Sequence, residues 1–340
     1  MRAMLVFIWG NYKPHLVMVT TKLCLAVSSI LLQSVLSTGI CALVVVVYEH
    51  VVATCVLSSL AFFLERGRRP PLTSQILCYS FFLGFLLVAV FQSLRIMSLQ
   101  YVAATYQSVA LNLMAVVVFV IAVLFGQENL KFCTIHGQAK TWGVGVSAAG
   151  ALTMVLWTGP TLFESAFTAP KASSIIGGSM LVASVLAGAS WNLLVGPVSR
   201  KYPADLSLST MMMFFGTTQA GIITLFLVTK SSWELKWEGG LVLTAILWGG
   251  ITVTGLSYYA HVWCVHKRGP VFAAAFQPLL IVFTFLLEAT VLRETTHLGS
   301  VIGAVLVVLG LYMLLWGKAK DIEMQGMLET KEGINSPLLD

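Results

Sequence analysis

Charged residues are scarce, only 10% of the 340 positions, against roughly 25% in an ordinary soluble domain. Polar stretches are short as well. The longest runs from Lys318 to Asp340, too few residues to bury a core, so a separate soluble domain is excluded and any function lies in the apolar segments and their connections. Catalytic signatures are missing: there is no HExxH, no GxSxG, no P-loop and no paired-aspartate pattern of an intramembrane protease, which disfavours a membrane enzyme. The six cysteines form no CxxC pair and no Cys/His cluster. Cys24, Cys41, Cys55, Cys78 and Cys264 fall in or beside apolar runs and Cys133 in a connection, so neither a metal site nor a structural disulfide is expected. No cofactor is expected either.

What the chain has instead is hydrophobic length: 58% of its residues are apolar. Ten spans are expected, at 15–36, 40–64, 76–97, 102–125, 139–157, 174–195, 206–228, 240–262, 271–291 and 297–316, each near the roughly 20 residues that cross a bilayer. Met1 to Pro14 holds a short apolar patch and no cleavable signal pattern, so the first span is expected to remain as a signal anchor. Fourteen of the 20 Lys and Arg residues fall on the side of the N-terminus. The opposite side has Lys171, Lys230, Lys236 and Arg293, and Lys22 and Arg95 lie within spans. Positive connections stay in the cytosol, so both termini are expected there. The net charge of +6 then follows from topology, and no nucleic-acid partner is implied.

The chain repeats itself. Ala103-Ala104-Thr105-Tyr106-Gln107-Ser108-Val109 returns as Ala273-Ala274-Ala275-Phe276-Gln277-Pro278-Leu279, opening the fourth and ninth spans. Gly143-x6-Gly150 ending in Leu156-Trp157 likewise corresponds, with one residue of slippage, to Gly303-x6-Gly310 ending in Leu315-Trp316. Apolar helices resemble one another by composition, but paired placement in corresponding spans goes further than composition does. The expected fold is an all-α membrane protein, ten transmembrane helices as two inverted five-helix repeats at 15–157 and 174–316, joined by the loop 158–173 and followed by a cytosolic tail at 317–340. Odd repeats place equivalent helices antiparallel about an axis in the membrane plane, a geometry common in transporters. Ser108 against Pro278 makes the two copies mechanically unequal.

Each charge at a helix centre costs roughly 2.5–3.5 kcal/mol on insertion scales, so intramembrane ions are candidate functional groups. Lys22 and Glu49 each lie about 12–13 Å inside opposite edges, near the middle of a core about 30 Å thick. A Lys22–Glu49 pair is expected, as a structural salt bridge or as a substrate or proton site. Lys22, Ser29 and Gln33 share a face of the first helix, Thr105, Ser108 and Asn112 of the fourth, Thr254, Ser257 and His261 of the eighth, and Gln277, Thr284 and Glu288 of the ninth. Such stripes line a wet cavity or join helices by hydrogen bonds. The amides of Asn112 and Gln277 are costly to leave unpaired and are assigned to the cavity. Gln92 and Arg95 end the third span, where the cation meets a substrate carboxylate or snorkels to headgroups. His261 and His266 flank Trp263 as proton relays or interfacial rings. Gly299-x3-Gly303 suits close packing of the tenth helix, with a homodimer as its second use.

Particular strings resemble a known family. Lys13-Pro14-His15-Leu16, Val46-Val47-Tyr48 with His50 and Ala53-Thr54, Phe62-Phe63-Leu64-Glu65-Arg66 and Gly137-Gln138-Ala139-Lys140 in the first half resemble the plant Walls Are Thin-related transporters. These form the UMAMIT, or nodulin-type EamA-like, branch of the drug/metabolite transporter superfamily. Lys201-Tyr202-Pro203-Ala204, Leu206-Ser207, Trp233-Glu234-Leu235, Gly269-Pro270-Val271-Phe272, Pro278-Leu279, Leu309-Gly310-Leu311-Tyr312 and Trp316-Gly317-Lys318 extend the likeness through the second half. The resemblance implies two EamA-like repeats, a cavity walled by the third, fourth, eighth and ninth helices, and facilitated or outward movement of amino acids or auxin-type indole acids. Trp191 belongs to this presumed wall. Departures cluster there: Glu49 stands where Arg is usual, Lys22 where Gln is, Phe91 where an acidic residue often precedes the glutamine, Gly188 where Trp is expected, and His261 where Gln is common.

The leading expectation is thus a multi-pass transporter in the plasma or vacuolar membrane, with the lipid bilayer and a small amphipathic acid as its partners. A nucleotide-sugar or phosphate exchanger needs more cavity cations than Lys22 and Arg95, and a non-transporting receptor or scaffold does not account for the repeat. Substrate-site candidates are Lys22, Glu49, Gln92, Arg95, Thr105, Ser108, Asn112, Trp191, Thr254, Ser257, His261, Gln277 and Glu288. Changing Asn112 or Gln277 to Leu is expected to alter saturable flux into vesicles without loss of expression; unchanged flux in both removes the amides from the cavity.

Overall fold

The computed structural model describes residues 2–36, 38–67, 69–98, 104–127, 134–157, 175–229, 233, 240–277, 279–287, 299, 301–303, 305–317 and 320. Every regular element among them is helical. In chain order these are α1 (Arg2–Leu36), α2 (Ala42–Glu65), α3 (Ser74–Ser98), α4 (Ala104–Leu124), α5 (Ile135–Leu156) and α6 (Ile175–Lys201). There follow α7 (Asp205–Leu227), α8 (Leu241–Arg268), α9 (Pro270–Ala275), α10 (Leu279–Leu287) and α11 (Val301–Gly317). Among the described residues six helices are long and apolar enough to cross a membrane: α1 from Tyr12, α2, α3, α6, α7 and α8. Shorter apolar helices lie at Met114–Leu124 and within α11.

Local chemistry explains the ends. The Thr73 hydroxyl caps α3 by accepting from Ile76 N at 3.4 Å, and Thr134 caps α5 from Gly137 N at 3.2 Å. At α7 the preceding Ala204 offers no side-chain cap. Its orphan amides are met from another helix: Leu206 N and Ser207 N donate to the two Glu65 carboxylate oxygens at 3.1 and 2.7 Å, where the helix dipole also favours an anion. The residues just before α7, Tyr202 among them, form the bend between α6 and α7. Burial pushes the Tyr202 hydroxyl above its ordinary pKa, with Arg69 opposing.

Four spans depart from expectation. The first is helical from Arg2 rather than from residue 15. The sixth and eighth run on to Lys201 and Arg268, because basic residues in a last turn suit the helix C-terminus: Arg200 and Lys201 in α6, and His266, Lys267 and Arg268 in α8. Gly269, at φ +86°, stops α8, and Pro270 begins α9 at a position where its missing N–H costs nothing. The ninth expected span is broken. Its first helix ends at Ala275, a turn occupies Phe276 and Gln277, and helix resumes at Leu279, as the proline at position 278 requires. The fourth span, with Ser108 in that place, is one uninterrupted helix.

Helices from the first half pack mainly against helices from the second: α1 on α8 and α10, α2 on α7 and α8, α3 on α6 and α7, and α4 on α6 and α9. The α5–α11 crossing brings backbone onto backbone. A Cβ at Gly143 would lie 2.7 Å from Gly310 O, and one at Gly150 would lie 2.8 Å from Gly303 O. These four glycines are the two Gly-x6-Gly pairs of the sequence, laid antiparallel so that backbone meets backbone. In lipid, small residues at such crossings let dispersion and polar contacts replace a hydrophobic driving force. Gly303 therefore packs inside the molecule. At the α2–α7 crossing Thr54 and Thr217, each twelve residues beyond its helix start (Ala42 and Asp205), bring their hydroxyl oxygens to 3.2 Å.

Two helices carry π-helical interiors, Phe85–Gln92 in α3 and Gly249–Ser257 in α8. Each is closed by a serine whose hydroxyl donates five residues back: Ser93 to Val88 O at 3.1 Å and Ser257 to Thr252 O at 2.9 Å. Gly310→Val and Gly143→Val are expected to lower the melting temperature by several degrees, an overpacking cost of about 1–3 kcal/mol. Gly145→Ala, at a site with open space around it, should match or exceed wild type. Equal losses in all three would contradict the crossing.

Candidate functional site

Between the packed halves runs a chain of polar side chains in contact or in mutual electrostatic reach. At one end Lys22 of α1, 4% exposed, donates from Nζ to Gln277 Oε1 at 2.7 Å. The break before α10 positions that amide: Gln277 N and Leu280 N close short turns on Ala274 O and Gln277 O, in place of a continuous helical ladder. Lys22 also feels Cys264 and His261 of α8. The Cys264 thiol points at Pro14 O, 3.8 Å away. His261 stacks on Trp191 of α6, centroids 5.2 Å apart and planes 29° apart. Tyr258, one turn earlier in α8, meets the same indole edge-on at 5.9 Å.

Tyr258 joins this group to a second one. It lies in the field of Arg95 and Glu49, which act on each other. Arg95 Nε donates to Gln92 Oε1 at 3.0 Å, so the guanidinium turns inward and does not snorkel. Glu49 is buried against α8, and a Cβ at Gly249 would fall onto its carboxyl group. His50 is 1% exposed. Its Nδ1 faces Val46 O at 2.8 Å, which makes Nδ1 the protonated nitrogen and leaves Nε2 a lone pair without a partner.

The expected Lys22–Glu49 pair does not form. Lys22 pairs with Gln277 and Glu49 faces Arg95. Equal depth in the membrane says nothing about which way two side chains turn. Of the remaining candidates, Gln92, Arg95, Trp191, His261 and Gln277 belong to the chain of contacts. Thr254 is buried on the π-helical part of α8, and Ser257 spends its hydrogen on Thr252 O. The side chains of Thr105, Ser108 and Asn112, and all of Glu288, lie outside the described residues, as does Cys133. Ser29 is exposed and donates to Leu25 O, so the stripe expected on α1 reduces to Lys22 among its described members. His266 sits apart from the chain, with Nδ1 2.9 and 3.0 Å from the Asp205 carboxylate oxygens.

Three participants were not foreseen. Tyr258 lies at i−3 from His261, a spacing that could have flagged it, whereas His50 and Cys264 have no sequence signal beyond polarity. Phe91 and Gly188 are explained together. A Cβ at Gly188 would meet Phe91 Cδ2 at 2.8 Å and Met114 Sδ at 2.9 Å, so the phenyl ring fills room that a larger residue at 188 would need. A small apolar crevice lined by Ala115, Gly143, Ser147, Ala275, Gly310 and Leu314 lies at the α4–α5–α11 contact and holds no charge. Lys22→Glu combined with Glu49→Lys is expected to recover neither the flux nor the melting temperature lost by each change alone; full recovery would restore the direct pair.

Comparison with known proteins places this arrangement. The EamA-like transporter family matches residues 175–316. The chain is 36% identical over 329 residues to WAT1-related protein At5g07050 of Arabidopsis thaliana, covering 91% of this chain and 81% of that one. It is 31% identical over 336 residues to WAT1-related protein At3g18200 of the same plant, covering 95% and 87%. A solved crystal structure shares the fold at TM-score 0.66 with 14% identity, over 89% of this chain and 98% of its own. The chain is thus a multi-pass integral membrane protein and belongs to the WAT1-related proteins of the EamA-like transporter family.

Proposed function

We propose that this protein is a carrier that moves small amphipathic acids, amino acids or auxin-type indole acids, by exposing one central site to the two sides of the membrane in turn. The observation that carries the reading is the buried polar chain from Lys22 to Glu49, set between two halves whose contacts match when the halves are exchanged. The α3–α6 contact answers to α8–α1, α3–α7 to α8–α2, and α4–α6 to α10–α1. The Gly143–Gly310 and Gly150–Gly303 contacts exchange with each other, as the two Ser-closed π segments do. These matches support ten helices as two inverted five-helix repeats, at 15–157 and 174–316, with the loop 158–173 between them and a tail at 317–340. The family match over 175–316 supports the second unit.

In this reading Lys22, Gln92, Arg95, Trp191, His261 and Gln277 face the substrate, and Thr105, Ser108 and Asn112 are assigned to the same site. Thr254, Ser257 and Glu288 complete the wall. Aromatic faces at Trp191 and Tyr258 suit a flat apolar body, and the cations suit an acid. Glu49 offsets Arg95, which leaves Lys22 as the one uncompensated cation among the described residues of the polar chain and argues against doubly charged phosphate cargo. Movement is facilitated or outward, both termini are cytosolic, and the plasma or vacuolar membrane is the place of action. Labelled amino acids and indole-3-acetate supplied to vesicles bearing the protein should show saturable flux for at least one of them. Flux no greater than in empty vesicles across the panel would contradict the reading.

A further inference from the structure

The two ends of the polar chain differ in how their charges are met. Arg95 has a carboxylate, Glu49, in its field and an amide acceptor in Gln92. Among the described residues Lys22 has only the neutral Gln277 amide as its hydrogen-bond partner, and the titratable groups that act on it or feel it are Cys264 and His261, neither an anion source comparable to a carboxylate. A buried ammonium held by an amide alone is solvated in part and neutralised not at all. Two further groups, His261 in the field of Lys22 and Trp191 stacked on His261, are unsatisfied among the described residues. The Trp191 indole, 4% exposed, has a donor-only nitrogen without an acceptor. His261 Nε2, on the ring stacked over that indole, is buried without a partner as well. Buried donors left unpaired are costly and call for explanation.

We propose that Lys22, Trp191 and His261 form a subsite for one carboxylate, so that a substrate docks with its acid group at this end of the chain, rather than at Arg95. The proposal rests on the carrier reading and adds the substrate's orientation to it. A carboxylate offers about four lone-pair positions. The Lys22 ammonium keeps two hydrogens after serving Gln277, the Trp191 N–H supplies a third donor, and His261 a fourth in the tautomer that carries its hydrogen on Nε2. One uncompensated positive charge fits one negative charge, which selects a monocarboxylate over a phosphate dianion. The body of the ligand then extends along Tyr258 toward Arg95 and Gln92.

Thermal-shift titration of the purified full-length protein in detergent tests this, using indole-3-acetate and phenylacetate against their primary amides, which keep shape and lose charge. Wild type is expected to bind the acids at least about tenfold more tightly than the amides, the contrast of a charge-assisted against a neutral hydrogen bond. Lys22→Gln should abolish that preference and Lys22→Arg keep it. Trp191→Phe, which retains the ring and drops the N–H, should weaken acid binding roughly fivefold. Should Lys22→Gln fail to fold, Trp191→Phe and the wild-type preference still decide. Wild type binding acid and amide alike, or Lys22→Gln retaining the full preference, overturns the subsite. Preferential acid binding in a protein that moves nothing across vesicles ends the carrier reading and leaves the subsite standing.

Discussion

Close backbone contact between the two halves of the chain is the constraint on which everything else rests. Where Gly143 lies on Gly310 and Gly150 on Gly303, the helices approach more nearly than any side chain allows, and in a lipid environment such packing substitutes for the hydrophobic effect. On α2 and α7 the halves meet through side chains instead, the Thr54 and Thr217 hydroxyls at 3.2 Å. Helices of the first half are held by helices of the second and only secondarily by their own neighbours. A polar chain buried between the halves is therefore shared by both, and relative movement of the halves must rearrange it.

The cost of that chain is contained by pairing. Glu49 sits beside Arg95, Arg95 on Gln92, and Lys22 on Gln277. Most hydroxyls in the helices add nothing to it, because they donate to carbonyls of their own helix, as Thr54, Ser93, Ser257 and Thr284 do. The π-helical interiors of α3 and α8 fit the same picture, since π-bulges recur at functional sites and these two immediately precede Arg95 and Tyr258. The turn at Phe276 and Gln277 supplies the remaining element, an amide turned out of its helix toward a buried cation. Its counterpart in the first half is continuous helix, so the two sides of the site are built differently.

Much of the architecture was legible in the sequence, because its signals are one-dimensional. Apolar length, the Gly-x6-Gly pairs and the contrast of Ser108 with Pro278 need no knowledge of neighbours. Of the buried polar chain, Lys22, Glu49, Gln92, Arg95, Trp191, His261 and Gln277 were legible one by one, but their partners were not. Lys22 and Glu49 were matched by depth, and depth along a helix axis leaves azimuth open; only the fold shows that Gln277 and Arg95 intervene. The Glu65 cap on α7 was illegible for the same reason, as its two amide donors lie some 140 residues away. The room beside Gly188 likewise makes sense only once Phe91 and Met114 are seen to fill it.

At the centre of the account is one site reached alternately from two sides, and counterflow tests it most directly. Vesicles preloaded with an unlabelled acid that the protein carries, then diluted into a trace of the labelled acid, should accumulate label transiently above its equilibrium level. The overshoot should vanish in empty vesicles. Uptake that rises to equilibrium without overshoot, at preloading concentrations that saturate flux, would contradict a carrier and with it the functional meaning assigned here to the paired halves.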